Sequence, residues 1–308
     1  MRQNCWASPF LKYLQYVWAV LFLCSLALLY DELSTSDQQA IQLQSDLHPA
    51  PGYLQEEYDP ALARLHSVAA LLTYVDSVQQ DHPAVAYPSL LNWTIRRRFY
   101  HGFSYYGPGN NVLASLIARF LHTDWHAIVL PDDILQHPNA GCSQQCIVLM
   151  TALRQRGFSV RNVGFYEPKQ GGHYASEVYY AGSWHYYDPD FEPDEQLLSQ
   201  AGKPSIKALS TNTALLRQAY LPHMTSERID ALFKTYQIGT INPILAPRAR
   251  LFQLITKGYV YTGWLLLLLI SWFWSRHMKG RITTRRAPSG QWVRRRARQA
   301  VDASLQVA

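Results

Sequence analysis

Two stretches of this chain lack the alternation of polar and apolar positions that a water-facing element shows. From Tyr13 to Tyr30, eighteen residues run with Gln15 as the one strongly polar position, and from Tyr259 to Ser275 seventeen run without a charge. At about 1.5 Å per residue each covers roughly 25–27 Å as a helix, close to a hydrocarbon thickness of about 30 Å. Tyr and Trp crowd their ends (Tyr13, Tyr16, Trp18, Tyr30; Tyr259, Tyr261, Trp272, Trp274), where interfacial anchors sit. Leu-Ala-Leu-Leu-Tyr-Asp offers no small-x-small cleavage pattern, which argues against a removable leader. The expectation is two transmembrane helices, 13–30 and 259–275.

Between them, residues 31–257 read as one domain of ordinary size. Ser34 to Pro51 is polar and Gln-rich, a stalk leaving the membrane. Leu62, Leu65, Val68, Ala69, Leu72 and Val75 recur at helical spacing and predict a helix over 59–79, with Asp59-Pro60 as its start. Val112, Leu113, Leu116, Ile117 and Phe120 predict another over 111–122. After Gly141, Cys146, Ile147, Leu149, Met150 and Leu153 form one apolar face, and Arg154, Arg156 and Gly157 close that helix.

Alternation then takes over. Val160–Tyr166 reads as a strand, and His173–Tyr180 with Ser183–Asp188 as a hairpin about Ala181-Gly182. With the loop at Ala181-Gly182, Ala175 faces Asp188 and His173 is its diagonal neighbour. With the loop at Tyr180-Ala181, His173 faces Asp188 directly. Either register leaves roughly 5–8 Å between their Cβ atoms. Helices are expected again over 213–220 and 226–236, capped by Asn212 and Thr225.

Charge orients the chain. The net is +6; the 276–308 tail carries +8 and Arg2 with Lys12 +2, which leaves −4 for the residues between. The positive-inside rule places both termini (1–12 and 276–308) in the cytoplasm and the main domain outside, in a periplasm if the membrane is a bacterial inner membrane. The basic excess therefore points to anionic lipid headgroups and away from nucleic acid. Of four cysteines, only Cys142 and Cys146 fall in the exported domain, at an i,i+4 spacing poorly suited to a disulfide. A thiol kept in an oxidising space needs a reason, and catalysis supplies one.

Cys142 follows Gly141 at a predicted helix start, where backbone N–H groups and the helix dipole favour a thiolate. His173 would take the thiol proton and later deliver it to a leaving group, and Asp188 would orient the imidazole. Gly-Cys, a helix ending in Leu-Arg-x-x-Gly, a strand, His-x-x-x-Glu and Trp-x-x-x-Asp-Pro together resemble the transglutaminase-like superfamily of papain-like cysteine enzymes. The resemblance covers roughly Ile134 to Pro189, with Ser143 where the animal enzymes carry an aromatic residue. It implies an α+β fold, a papain-like core (about 134–190) in which the cysteine helix packs on an antiparallel sheet, with Cys142, His173 and Asp188 as nucleophile, base and orienting acid.

The remaining candidates have plainer readings. Gln136, six residues before Cys142, is a possible oxyanion donor or a surface glutamine. Cys146 belongs on the apolar face. Cys142, Cys146, His173 and Asp188 have zinc-ligand chemistry but the wrong cysteine spacing, so no metal and no cofactor are expected. Glu177 reads as a structural hydrogen-bond partner, His185 as an aromatic on the opposite face, and Arg96-Arg97-Arg98 as a solvated basic patch. Asn92-Trp93-Thr94 matches a glycosylation sequon. The functional expectation is a membrane-anchored thiol enzyme transferring or hydrolysing an acyl group on a peptide, protein or envelope polymer. The alternative is a non-catalytic binding or assembly module in a membrane complex.

Overall fold

A computed structural model describes residues 9–34, 57–121, 125–167, 171–221 and 223–284. The chain is α+β, with helices, an antiparallel sheet and two long apolar helices. Helix α1 (Pro9–Ser34) and the last helix (Pro247–Thr284) carry segments, Tyr13–Ser34 and Pro247–Arg276, long and apolar enough to cross a membrane. The last helix begins twelve residues before the apolar run, because Pro247 supplies a fixed φ at a helix start and nothing breaks the chain until the tail. The polar 34–51 stretch lies, from residue 35 on, outside the described residues.

Within 28–260, a compact unit of its own, the predicted 59–79 helix is two elements. A 3₁₀ turn (Pro60–Arg64) is capped by Asp59, and α2 (Val68–Asp81) starts afresh at Ser67, whose hydroxyl accepts from the Ala70 N–H. Helix α3 (Tyr87–Arg98), unforeseen in the sequence, opens on a proline at its first turn and ends before β1 (Tyr100–His101). Then come α4 (Val112–Leu121), the short α5 (Pro131–Ile134), β2 (Asn139–Ala140) and α6 (Cys142–Gln155). The strands β3 (Ser159–Glu167), β4 (Gly171–Tyr180) and β5 (Ser183–Tyr187) follow. Beyond them lie α7 (Glu195–Gln200), α8 (Ile206–Thr211), α9 (Thr213–Tyr220), α10 (Ser226–Leu232) and β6 (Tyr236–Ile238), with the Pro247–Thr284 helix, α11, last.

The four-stranded sheet has the order β5-β4-β3-β6, all antiparallel. Strand side chains alternate between its faces, and each face has its own core. Val160, Val178 and Tyr187 pack with α2, α3 and α6, while Val163, Phe165, Ala175 and Tyr186 pack with α7 to α10. Tyr236, expected to end a helix, instead opens β6, which extends the sheet beside β3: α10 stops at Leu232, and Tyr236 pairs with Phe165.

The arginine run is not a solvated patch. Arg96 and Arg98 are buried; Arg98 donates to the carbonyls of Leu135 (2.6 Å) and His137 (3.2 Å), and Arg96 to those of Glu192 and Pro193 (both 3.3 Å). Burial lowers Arg98 to about 10 against the opposing pull of Tyr58. The sequon is equally internal: Asn92 is buried and donates to Glu195 at 3.0 Å.

Candidate active site

The site begins at a hairpin. Tyr180 pairs with Ser183 and Ser176 with Tyr187, so the loop is Ala181-Gly182, the first of the two expected registers. Both loop residues have positive φ (47° and 81°), the twist that a two-residue hairpin turn needs. Extended one step, this register sets Asp188 on the diagonal from His173. Their side chains meet: His173 Nε2 lies 2.9 Å from Asp188 Oδ2, with both groups buried.

Asp188 is held from every side. Its Oδ2 also accepts from the hydroxyls of Tyr220 (2.8 Å) and Tyr186 (3.3 Å). Its Oδ1 accepts from the backbone N–H groups of Phe191 (3.2 Å) and Asp190 (3.3 Å). Burial works against the carboxylate, but His173 and these donors outweigh it and hold its pKa below the ordinary 3.8. For His173, burial favours the neutral ring, yet Asp188 and then Cys142 raise it to about 10. The imidazole stacks on Phe191 (centroids 3.8 Å apart, 13° between planes), which fixes its plane.

Cys142 is the first residue of α6, and the strands β1 and β2, paired in parallel, deliver Gly141 to that start. Gly141 is extended (φ −77°), so its backbone suits any residue; space is what demands glycine. A Cβ there would lie 3.0 Å from the Phe103 ring. Gln144 fixes the turn, its Oε1 accepting from the N–H groups of Ser104 (2.9 Å) and Gly141 (3.2 Å). Cys142 Sγ, a ring nitrogen of His173 and a carboxylate oxygen of Asp190 lie within 4.8 Å of one another. Nε2 is engaged by Asp188, so Nδ1 is the nitrogen free to serve the thiol. Cys142 is 8% exposed and His173 1%.

Thus the three residues expected as a triad are brought together. No family model matches the chain, and no curated protein or solved structure matches it either. The site must be read from its own geometry.

Gln136 is placed otherwise. Its Nε2 donates to the His66 carbonyl at 2.8 Å, so the amide expected as an oxyanion donor is taken up outside the site. Cys146 is fully buried, donates to the Tyr174 carbonyl (3.2 Å), and burial pushes its thiol well above 9.0. Glu177 accepts from Arg161 (2.7 Å) and from the Ile206 N–H (2.8 Å), a structural role as read. His185 stacks on Tyr180 (4.0 Å) and its Nδ1 donates to the Lys203 carbonyl (2.7 Å).

Asp190 is the residue that sequence reasoning missed. Its Oδ1 accepts from Gln145 Nε2 (3.1 Å) and sits 2.8 Å from His101 Nδ1, while Oδ2 faces His173 Nδ1 at 3.8 Å. The signal was present as a second aspartate in Asp188-Pro189-Asp190. Only the turn closed by the Asp188 carboxylate on the next two amides brings it back to the same imidazole.

Proposed function

We propose that this chain is a membrane-anchored thiol enzyme of transglutaminase-like, papain-like type. The observation that carries the reading is His173 held by Asp188 at 2.9 Å with a ring nitrogen within 4.8 Å of the Cys142 Sγ. Cys142 Sγ attacks an amide or ester carbonyl carbon, and the first-turn N–H of Cys142, which by its position has no intrahelical acceptor, faces the developing oxyanion. The tetrahedral intermediate collapses to a thioester as His173 gives its proton to the leaving amine or alcohol. Water, or an acceptor amine, then loses a proton to His173, attacks the thioester and frees the thiol. Two apolar helices long enough to span a bilayer support a substrate at the membrane, a peptide, protein or envelope polymer. The basic tail supports cytoplasmic termini and an extracytoplasmic domain.

The test is alkylation of Cys142 by iodoacetamide, resolved by peptide mass spectrometry on the full chain in detergent micelles. Rapid labelling at pH 6–7 that His173→Ala slows more than tenfold is expected. Equal, slow labelling of both forms, with intact fold, sinks the enzyme reading. The burial of the thiol favours the second reading, a non-catalytic module, in which Cys142→Ala leaves cellular function whole.

A further inference from the structure

Two buried polar atoms beside the thiol make no hydrogen bond: His173 Nδ1 and Asp190 Oδ2. A desolvated polar atom left without a partner is destabilising, so each calls for a ligand. They face each other at 3.8 Å, and Cys142 Sγ completes a trio whose atoms lie within 4.8 Å of one another. We propose that Cys142, His173 and Asp190 bind one divalent cation of the zinc type, which blocks the thiol reversibly.

The donors are thiolate sulfur, imidazole nitrogen and carboxylate oxygen, the set zinc favours. A tetrahedral ion with ligands at about 2.0–2.3 Å needs ligand-to-ligand edges of roughly 3.3–3.8 Å. The His173–Asp190 edge of 3.8 Å is already there, and the edges to Cys142 Sγ are within 4.8 Å. The surroundings supply the outer hydrogen bonds that metal ligands require. Nε2–H of His173 stays on Asp188, which fixes Nδ1 as the ligand nitrogen. Gln145 and His101 hold the other oxygen of Asp190, which aims Oδ2 inward. The ion takes the place of the proton between imidazole and thiol, and three protein ligands leave a fourth position for water.

This site differs from the four-ligand set considered from the sequence. Cys146 is committed to the Tyr174 carbonyl and Asp188 to the outer hydrogen bond, while Asp190 supplies the oxygen. The inference shares Cys142 and His173 with the proposed acyl transfer but does not depend on it.

The reduced full chain in detergent micelles is titrated with CoCl₂ and followed by thiolate-to-cobalt charge-transfer absorption, then competed with ZnCl₂. One ion per chain is expected, with the band lost in Cys142→Ser and kept in Cys146→Ser. Asp190→Asn weakens binding at least tenfold, and Asp188→Asn, which touches only the outer shell, by about 10–100-fold. In the wild-type chain ZnCl₂ protects Cys142 from iodoacetamide, a readout that needs no variant. No band and no protection at millimolar metal, or a band indifferent to Asp190→Asn, overturns the proposal. Fast metal-free alkylation with no band removes the cation site and leaves the thiol-enzyme reading. A band with slow, His173-independent alkylation does the reverse.

Discussion

Replacing Asp188 by Asn tests the centre of the site, because it keeps the shape of the side chain and removes its charge. In the native chain burial pulls His173 toward the neutral ring, yet it stands at about 10, against 6.5 ordinarily, because Asp188 and then Cys142 outweigh burial. At about 1.4 kcal/mol per pKa unit, that difference is roughly 5 kcal/mol in favour of the cation. Burial opposes that shift, so the raising groups together supply more than this, and Asp188 is the foremost of them; losing it disfavours the thiolate–imidazolium pair relative to thiol and neutral imidazole. Removing one partner of a buried ion pair costs about 3–5 kcal/mol, and about 3 kcal/mol is roughly a hundredfold in that ion-pair equilibrium. Asp188→Asn should therefore slow iodoacetamide labelling of Cys142 at pH 7 by about two orders of magnitude. Asp190→Asn, which loses a carboxylate near the ring but leaves the Nε2 partner, should not. Labelling of Asp188→Asn at the wild-type rate, with the near-ultraviolet circular dichroism unchanged, would refute the assignment of Asp188 as the group that charges His173.

Three further outcomes are expected. The pair links stability to pH with a definite sign: raised His173 stabilises fully below about 6.5 and loses this as pH climbs through about 10, while lowered Asp188 stabilises above 3.8 and loses it in acid. Thermal melts followed by tryptophan fluorescence should thus weaken on both sides, and the alkaline loss should flatten in Asp188→Asn; an identical alkaline limb counts against the pairing. Gly141→Ala, whose methyl would meet the Phe103 ring at 3.0 Å, should cost about 1–3 kcal/mol, and Phe103→Ala in the same chain should recover most of it. Additive effects in that double-mutant cycle would mean that the two do not collide. Arg98→Ala strips the Leu135 and His137 carbonyls of their donor and should destabilise by about 3 kcal/mol or more in denaturant melts, with Arg98→Lys failing to restore the forked pair of bonds.

The sequence by itself determined what depends on neighbours along the chain. Apolar runs marked the two long helices, the 3.6-residue spacing after Gly141 marked α6, and the turn residues narrowed the hairpin to two registers, both of which bring His173 to Asp188. These are consequences of period and turn chemistry, and a few residues suffice to impose them. Only the tertiary structure decided which polar groups lose water. Arg96 and Arg98 look solvated in sequence because charge usually is; here they serve as donors to carbonyls 37 to 97 residues away. Gln136 has the spacing of an oxyanion donor, but its amide closes a contact with His66. Asp190, His101 and Gln145 come from three separate segments, and no local period relates them. They meet because β1 pairs with β2 at the start of α6 and because the chain turns back at Pro189, so that packing gathers around Cys142 groups that spacing alone leaves apart.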